Sequence, residues 1–116
     1  MRSGLEFYVD SGSNRKYPRY KVDIRAKVIL RQDGKDETIH ARTSHLSVGG
    51  LGLTLTKELE LGTSVILEFK LPQCEVFKMP AELRYRSGFK CGFQFLEVSA
   101  EQRSLIKQFC SELPLK

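Results

Sequence analysis

Two short stretches of this chain carry residue types suited to holding an anion. The first is Ser44-His45-Leu46-Ser47-Val48-Gly49-Gly50-Leu51-Gly52, a polar and glycine-rich turn between two strand-like runs. Adjacent glycines at Gly49 and Gly50 open backbone angles closed to other residues and leave amide N–H groups uncovered. The Ser47 hydroxyl and the His45 imidazole stand within the same six residues. Taken alone, the stretch would equally suit a tight hairpin whose serine and glycines serve only the turn. The second stretch is Asn14-Arg15-Lys16-Tyr17-Pro18-Arg19-Tyr20-Lys21. Pro18 disfavours helix at Tyr17 and fixes its own φ, so residues 15–20 are expected to be extended. Extension fans consecutive side chains apart, and Arg15 and Arg19 can then approach one anion from different angles.

Charge supports an anionic partner. The chain carries +5, from 19 basic and 14 acidic residues, and the excess is uneven. Residues 15–31 hold seven basic residues and one acid, Asp23. Such a concentration predicts a partner more than general solubility. Arg25, Lys27 and Arg31 alternate as the outer face of a strand would, and solvation accounts for them. Arg15, Lys16 and Arg19 precede that strand and have no such account.

The elements that must position these residues read as strands. At 116 residues the chain is one domain with one core, and 41% apolar with 28% charged residues fits a soluble globular protein. No apolar run approaches the ~20 residues of a membrane span, and the first residues lack the apolar core of a secretory signal. Cys74, Cys91 and Cys110 are odd in number and widely spaced. That pattern suggests neither a disulfide frame nor a metal clip, and reduced thiols in the cytoplasm follow. Residues 1–14, with the linker-like Ser11-Gly12-Ser13, read as a flexible arm. From there Val22, Ile24, Ala26, Val28 and Leu30 share one parity of a strand, and a turn at 33–36 leads into a second strand over 37–46. Leu51, Leu53 and Leu55 mark the third, and Val65, Leu67, Phe69 and Leu71 the fourth. Phe77, Met79, Ala81, Leu83 and Tyr85 face inward in the fifth, with Pro80 on the other parity implying an edge or a bulge. Phe89, Cys91, Phe93 and Phe95 form the sixth. Six short strands argue for a mainly β fold, an antiparallel barrel or sandwich. A helix over 99–113 closes the chain, capped by Ser99 and Gln102, with Leu105, Ile106, Phe109, Cys110 and Leu113 as its apolar stripe.

Taken in order, Arg15-x-x-x-Arg19 and Leu46-Ser47-x-x-Gly50 resemble the two-part signature of the PilZ domain family, RxxxR followed by (D/N)xSxxG. His45 stands where that family carries Asp or Asn. The resemblance extends over 15–116, as an arginine segment, a six-stranded antiparallel split barrel and a C-terminal helix. It includes the strand Gly88-Phe89-Lys90-Cys91-Gly92-Phe93-Gln94-Phe95. It implies a cyclic di-GMP receptor or adaptor domain, with no enzyme activity, metal or resident cofactor. The arginine segment would change conformation on binding and signal to a partner protein.

The implied ligand is a doubly charged ring carrying two guanines. Arginine offers a fork matched to phosphate oxygens and to the Hoogsteen edge of guanine. By this resemblance Arg15 and Arg19 grip bases and phosphates while Lys16 adds point charge. Ser47 and the backbone at Gly49 and Gly50 meet the remaining polar atoms, and the His45 imidazole can accept one guanine proton. Tyr85 is a further candidate, stacking on a guanine or else capping the barrel core. A PilZ domain acting only through protein contacts is one alternative reading, and a nucleic-acid-binding β-barrel is another. The latter usually presents outward aromatics on adjacent strands, and here only Tyr17 and Tyr20 flank the basic segment. Catalysis finds no support, since Ser47 lacks a G-x-S-x-G elbow and neither His40 nor His45 has an acid placed to serve it.

Overall fold

A computed structural model describes residues 17–113. The arm expected over 1–14 lies outside the described residues, as do Arg15 and Lys16. The described chain runs β1 (Tyr20–Lys21), β2 (Arg25–Gln32), β3 (Lys35–Leu46), β4 (Gly50–Thr54), β5 (Ser64–Lys70), β6 (Val76–Ser87), β7 (Lys90–Phe95) and α1 (Ala100–Cys110). The strand order is β1-β3-β2-β5-β6-β7-β4, and β3 also pairs with β4. Six antiparallel strands therefore close into a barrel, with the two-residue β1 added alongside β3.

Period-two alternation builds the barrel as the sequence implies. Ala26, Val28 and Leu30 of β2 are buried while Arg25, Lys27 and Arg31 are exposed. The same holds for Val65, Leu67 and Phe69 of β5 and for Phe77, Met79, Ala81 and Leu83 of β6. Phe69 stacks on Phe77 and Phe95 with centroids 5.3 and 6.3 Å apart. Asp33 and Gly34, at φ 52° and 77°, turn β2 into β3. Positive φ at both central residues matches the twist of a tight hairpin.

Between β1 and β2 the ladder breaks, and a side chain repairs it. The Thr43 hydroxyl accepts from Ile24 N–H and donates to Val22 C=O, both at 2.9 Å. Thus one threonine of β3 stands in for a missing backbone pair. Pro80 is not at an edge, since β6 has neighbours on both sides. Leu96 N–H donates to Pro80 C=O at 2.8 Å, just past the last β6–β7 pair, Ala81 with Phe95. A strand residue's N–H and C=O point to the same side, so the donor that Pro80 lacks falls beyond the end of β7, where the ladder needs none. Phe89 also departs from expectation. Ser87 pairs with Lys90, which leaves Gly88 and Phe89 as a two-residue loop and Phe89 61% exposed.

The helix begins in a capping box. Ser99 Oγ accepts from Gln102 N–H, and the Gln102 side chain accepts from Ser99 N–H, both at 3.0 Å. It ends at Cys110 rather than at 113, although Leu113 still packs on the core. Ile106 and Cys110 are buried in the same cluster as the strand residues. Burial pushes the Cys110 thiol up to about 11. It raises Cys91 as well, against an opposing pull from Arg86.

Candidate functional site

Two β-bulges set the site. On β3, Thr43 pairs with Leu53 but His45 pairs with Gly52, a register shift that spends one extra residue. On β6, Leu83 pairs with Phe93 but Tyr85 pairs with Gly92, a second shift of the same kind. Directly opposed residues share a face of the sheet, and Gly52 and Gly92 lie on the outer parity between core residues of their own strands. Each bulge therefore turns its residue outward. Tyr85, expected in the inward set, is carried to the outer face beside Gly92, and it is half-buried there.

The result is one row across the barrel wall. Lys21 pairs with His45, His45 with Gly52, Gly52 with Gly92, and Gly92 with Tyr85. With strands ~4.8 Å apart, the row from His45 to Tyr85 spans about 14 Å. The imidazole lies flat on Gly52: a Cβ there would stand 2.5 Å from His45 Nε2 and 2.6 Å from Nδ1. His45 Nδ1 is also 3.2 Å from the Ser44 hydroxyl. Gly52, Gly92 and Lys21 were not among the candidate ligand-binding residues read from the sequence. The available signal was glycine on the outward parity of two strands, but nothing local showed that these glycines were partners.

The Ser47 turn is organised differently from the expectation. Ser47 is buried at 4% exposure, and its Oγ accepts from the N–H groups of both Gly49 and Gly50 at 3.1 Å. Ser47 N–H in turn donates to Gly50 C=O at 2.9 Å. These two amides are thus engaged by the turn itself rather than left uncovered. Neither glycine has a positive φ. At Gly49 the requirement is space, because a Cβ would stand 2.8 Å from Cδ2 of Tyr17.

That contact joins the two sequence stretches. The Tyr17 ring lies on Gly49, Tyr20 pairs with Leu46, and Lys21 pairs with His45. Residues 17–21, the described part of the arginine segment, therefore run along the Ser47 turn. Arg19, expected to stand clear of the core, is buried at 7% exposure and is held by interactions within the protein. Tyr20 is paired in β1 instead of lying ahead of the first strand. Beside the row, an open hollow of about 450 Å³ is lined by Lys21, Val22, Asp23, Thr43 and Ser44. Gln94, opposite both Gly50 and Glu82, accepts from the Arg84 guanidinium. Chemically the surface offers cationic, imidazole and phenol groups around bare backbone, an arrangement for binding a flat anion. Among the described residues no group of histidine, cysteine and carboxylate side chains could hold a metal ion. No helix there is long and apolar enough to cross a membrane.

The chain matches a family model described as PilZ domain over residues 13–112. No curated protein matches it closely enough to count as a relative. Among solved structures it is similar to the PilZ domain of YcgR from Escherichia coli, described as a structure with c-di-GMP, at 23% identity and TM-score 0.68. That match covers 85% of this chain and 90% of the other. A second is the Bacillus subtilis inhibitor of motility MotI, at 19% identity and TM-score 0.69 over 84% of this chain and 49% of the other. A third is E. coli YcgR in complex with c-di-GMP, at 26% identity and TM-score 0.67 over 81% of this chain. The chain spans about half the length of MotI and 43% of this longer YcgR chain.

Proposed function

The chain belongs to the PilZ domain family, and on that footing we propose that it is a receptor for cyclic di-GMP. The observation that carries this reading is the contact of Tyr17 with Gly49, which lays residues 17–21 beside the Ser47 turn and the His45 row. Similar folds are described with c-di-GMP bound, in the E. coli YcgR structures. In this reading Arg15 and Arg19 supply guanidinium forks to phosphate and guanine, and Lys16 and Lys21 supply point charge. His45 accepts one guanine proton, and Tyr85 stacks on a base beside the Gly92 backbone. Ser47, Gly49 and Gly50 shape the rim by holding the turn. Binding reorients the arginine segment over 15–20, and a partner protein in the cytoplasm reads that change. The domain catalyses nothing.

Titration of the purified chain with cyclic di-GMP, against GTP and a single-stranded oligonucleotide, tests the proposal. Cyclic di-GMP binds and the other two do not bind comparably at physiological salt. Stronger binding to the oligonucleotide, falling steeply with salt, would transfer the site to nucleic acid. Binding to none of the three would favour a PilZ domain working only through protein contacts. The departure at His45 and the engaged Gly49 and Gly50 amides are the features that point that way.

A further inference from the structure

Among the described residues the barrel wall is open along part of β3. The β3–β4 ladder stops at Arg42 opposite Thr54, where β4 ends, yet β3 continues back to Lys35. Over 35–41 its only strand partner among the described residues is β2. The chain after β4 leaves this edge: Leu55 N–H donates to Phe89 C=O at 2.8 Å. At the far end the opening is bridged by Lys57 Nζ, at 2.7 and 2.9 Å from the two Glu37 carboxylate oxygens. Between lies a groove of about 630 Å³ lined by Arg25, His40, Arg42, Thr54, Thr56 and two alanines.

Backbone direction decides what this edge offers. Thr43 N–H donates to Ile24 C=O on the β2 side. Alternation along β3 then turns the N–H and C=O groups of Thr38 and His40 toward the open side. An unpaired strand edge is a template for another strand. The charges say of which kind. Arg25 lies directly opposite Arg42 on the outer face, and like charges so placed destabilise a sheet. Asp23 engages Arg42 at 2.8 Å, whereas Arg25 has no ion pair among the described residues. No acid among the described residues lines the groove.

We propose that this groove binds an acidic, extended segment of a partner protein, which adds as a strand to the open edge of β3 with its carboxylates on Arg25 and Arg42. Main-chain bonds to Thr38 and His40 supply affinity, and the arginine pair selects charge. The site lies on the outer wall past the His45–Gly52 end of the row, from Arg42 and Thr54 toward Lys35, and it does not depend on cyclic di-GMP binding.

The test uses the full chain with a short blocked peptide alternating glutamate and valine, and its lysine counterpart as control. Binding of the acidic peptide slows amide exchange at Thr38 and His40, and the lysine peptide does nothing. Arg25→Glu weakens binding roughly tenfold or more, the equivalent of one charge-assisted hydrogen bond. His40→Pro removes an outward N–H while leaving the β2 ladder its donors, and it weakens binding without changing the cyclic di-GMP titration. Failure of the acidic peptide to bind overturns the proposal. So does binding that leaves Thr38 and His40 exchange unchanged, or that survives both variants. Inorganic pyrophosphate binding at Arg25 and Arg42 where the peptide fails would make the groove a small-anion site instead.

Discussion

Replacing Gly52 by alanine tests whether the His45 imidazole truly rests on the strand. The backbone at Gly52 has no positive φ, so alanine is conformationally allowed. In an ordinary strand the change is stabilising by ~0.5–1 kcal/mol, since glycine loses more freedom on folding. Here the new Cβ would stand 2.5 Å from Nε2 and 2.6 Å from Nδ1 of His45. Ordinary carbon contacts need ~3.5–4 Å, so the ring must move by about 1 Å or leave its place. Forcing a methyl into such a contact costs ~1–3 kcal/mol. The net effect of Gly52→Ala is a loss of roughly 1–2 kcal/mol, read as a lower urea midpoint at unchanged m. In the His45→Ala background the same substitution meets no ring, and its sign reverses to a gain of ~0.5–1 kcal/mol. The cycle therefore shows a coupling of about 2 kcal/mol, well above that of independent sites. If Gly52→Ala stabilises the parent, or costs as much without His45, the imidazole does not lie where the structure places it.

Further outcomes follow from the site. Ser47→Ala strips the acceptor from the Gly49 and Gly50 amides and costs ~1–3 kcal/mol by denaturation; a normal melt would mean the turn is held otherwise. Arg15→Ala weakens cyclic di-GMP binding roughly ten- to a hundred-fold with an unchanged melting temperature. Arg19→Ala does the same but also destabilises, because Arg19 is buried and engaged; His45→Asp tightens binding by calorimetry and His45→Ala loosens it. The thiols give a pH dependence. Cys110 titrates at about 11 in the fold against 9.0 for the ordinary thiol, so the folded state holds its proton longer. Its contribution is complete below pH 9 and is lost as pH rises toward 11. A Cys110→Ala variant should show a shallower alkaline loss of stability, and an identical profile would refute this.

Sequence alone determined the strand order along the chain, the core parity of β2, β4 and β5, the capped helix and the family signature. Each rests on local information: alternation with period two, a four-residue capping box, and two motifs read within a few residues. The two stretches that open the chain's chemistry were legible for the same reason. Where Tyr85 and His45 point was not, because a single extra residue in a strand flips everything beyond it. Bulges at Ser44 and Arg84 are specified by register across the hairpins, where His45 meets Gly52 and Tyr85 meets Gly92. The purpose of the glycines was likewise hidden. At Gly49 and Gly52 the constraint is not backbone freedom but the approach of Tyr17 and His45, rings from other strands or segments. The burial of Arg19 and the open edge of β3 also arise only when the barrel closes. Closure fixes which strand lies beside which, and a side chain's neighbours across a sheet are set by register, which no local pattern encodes.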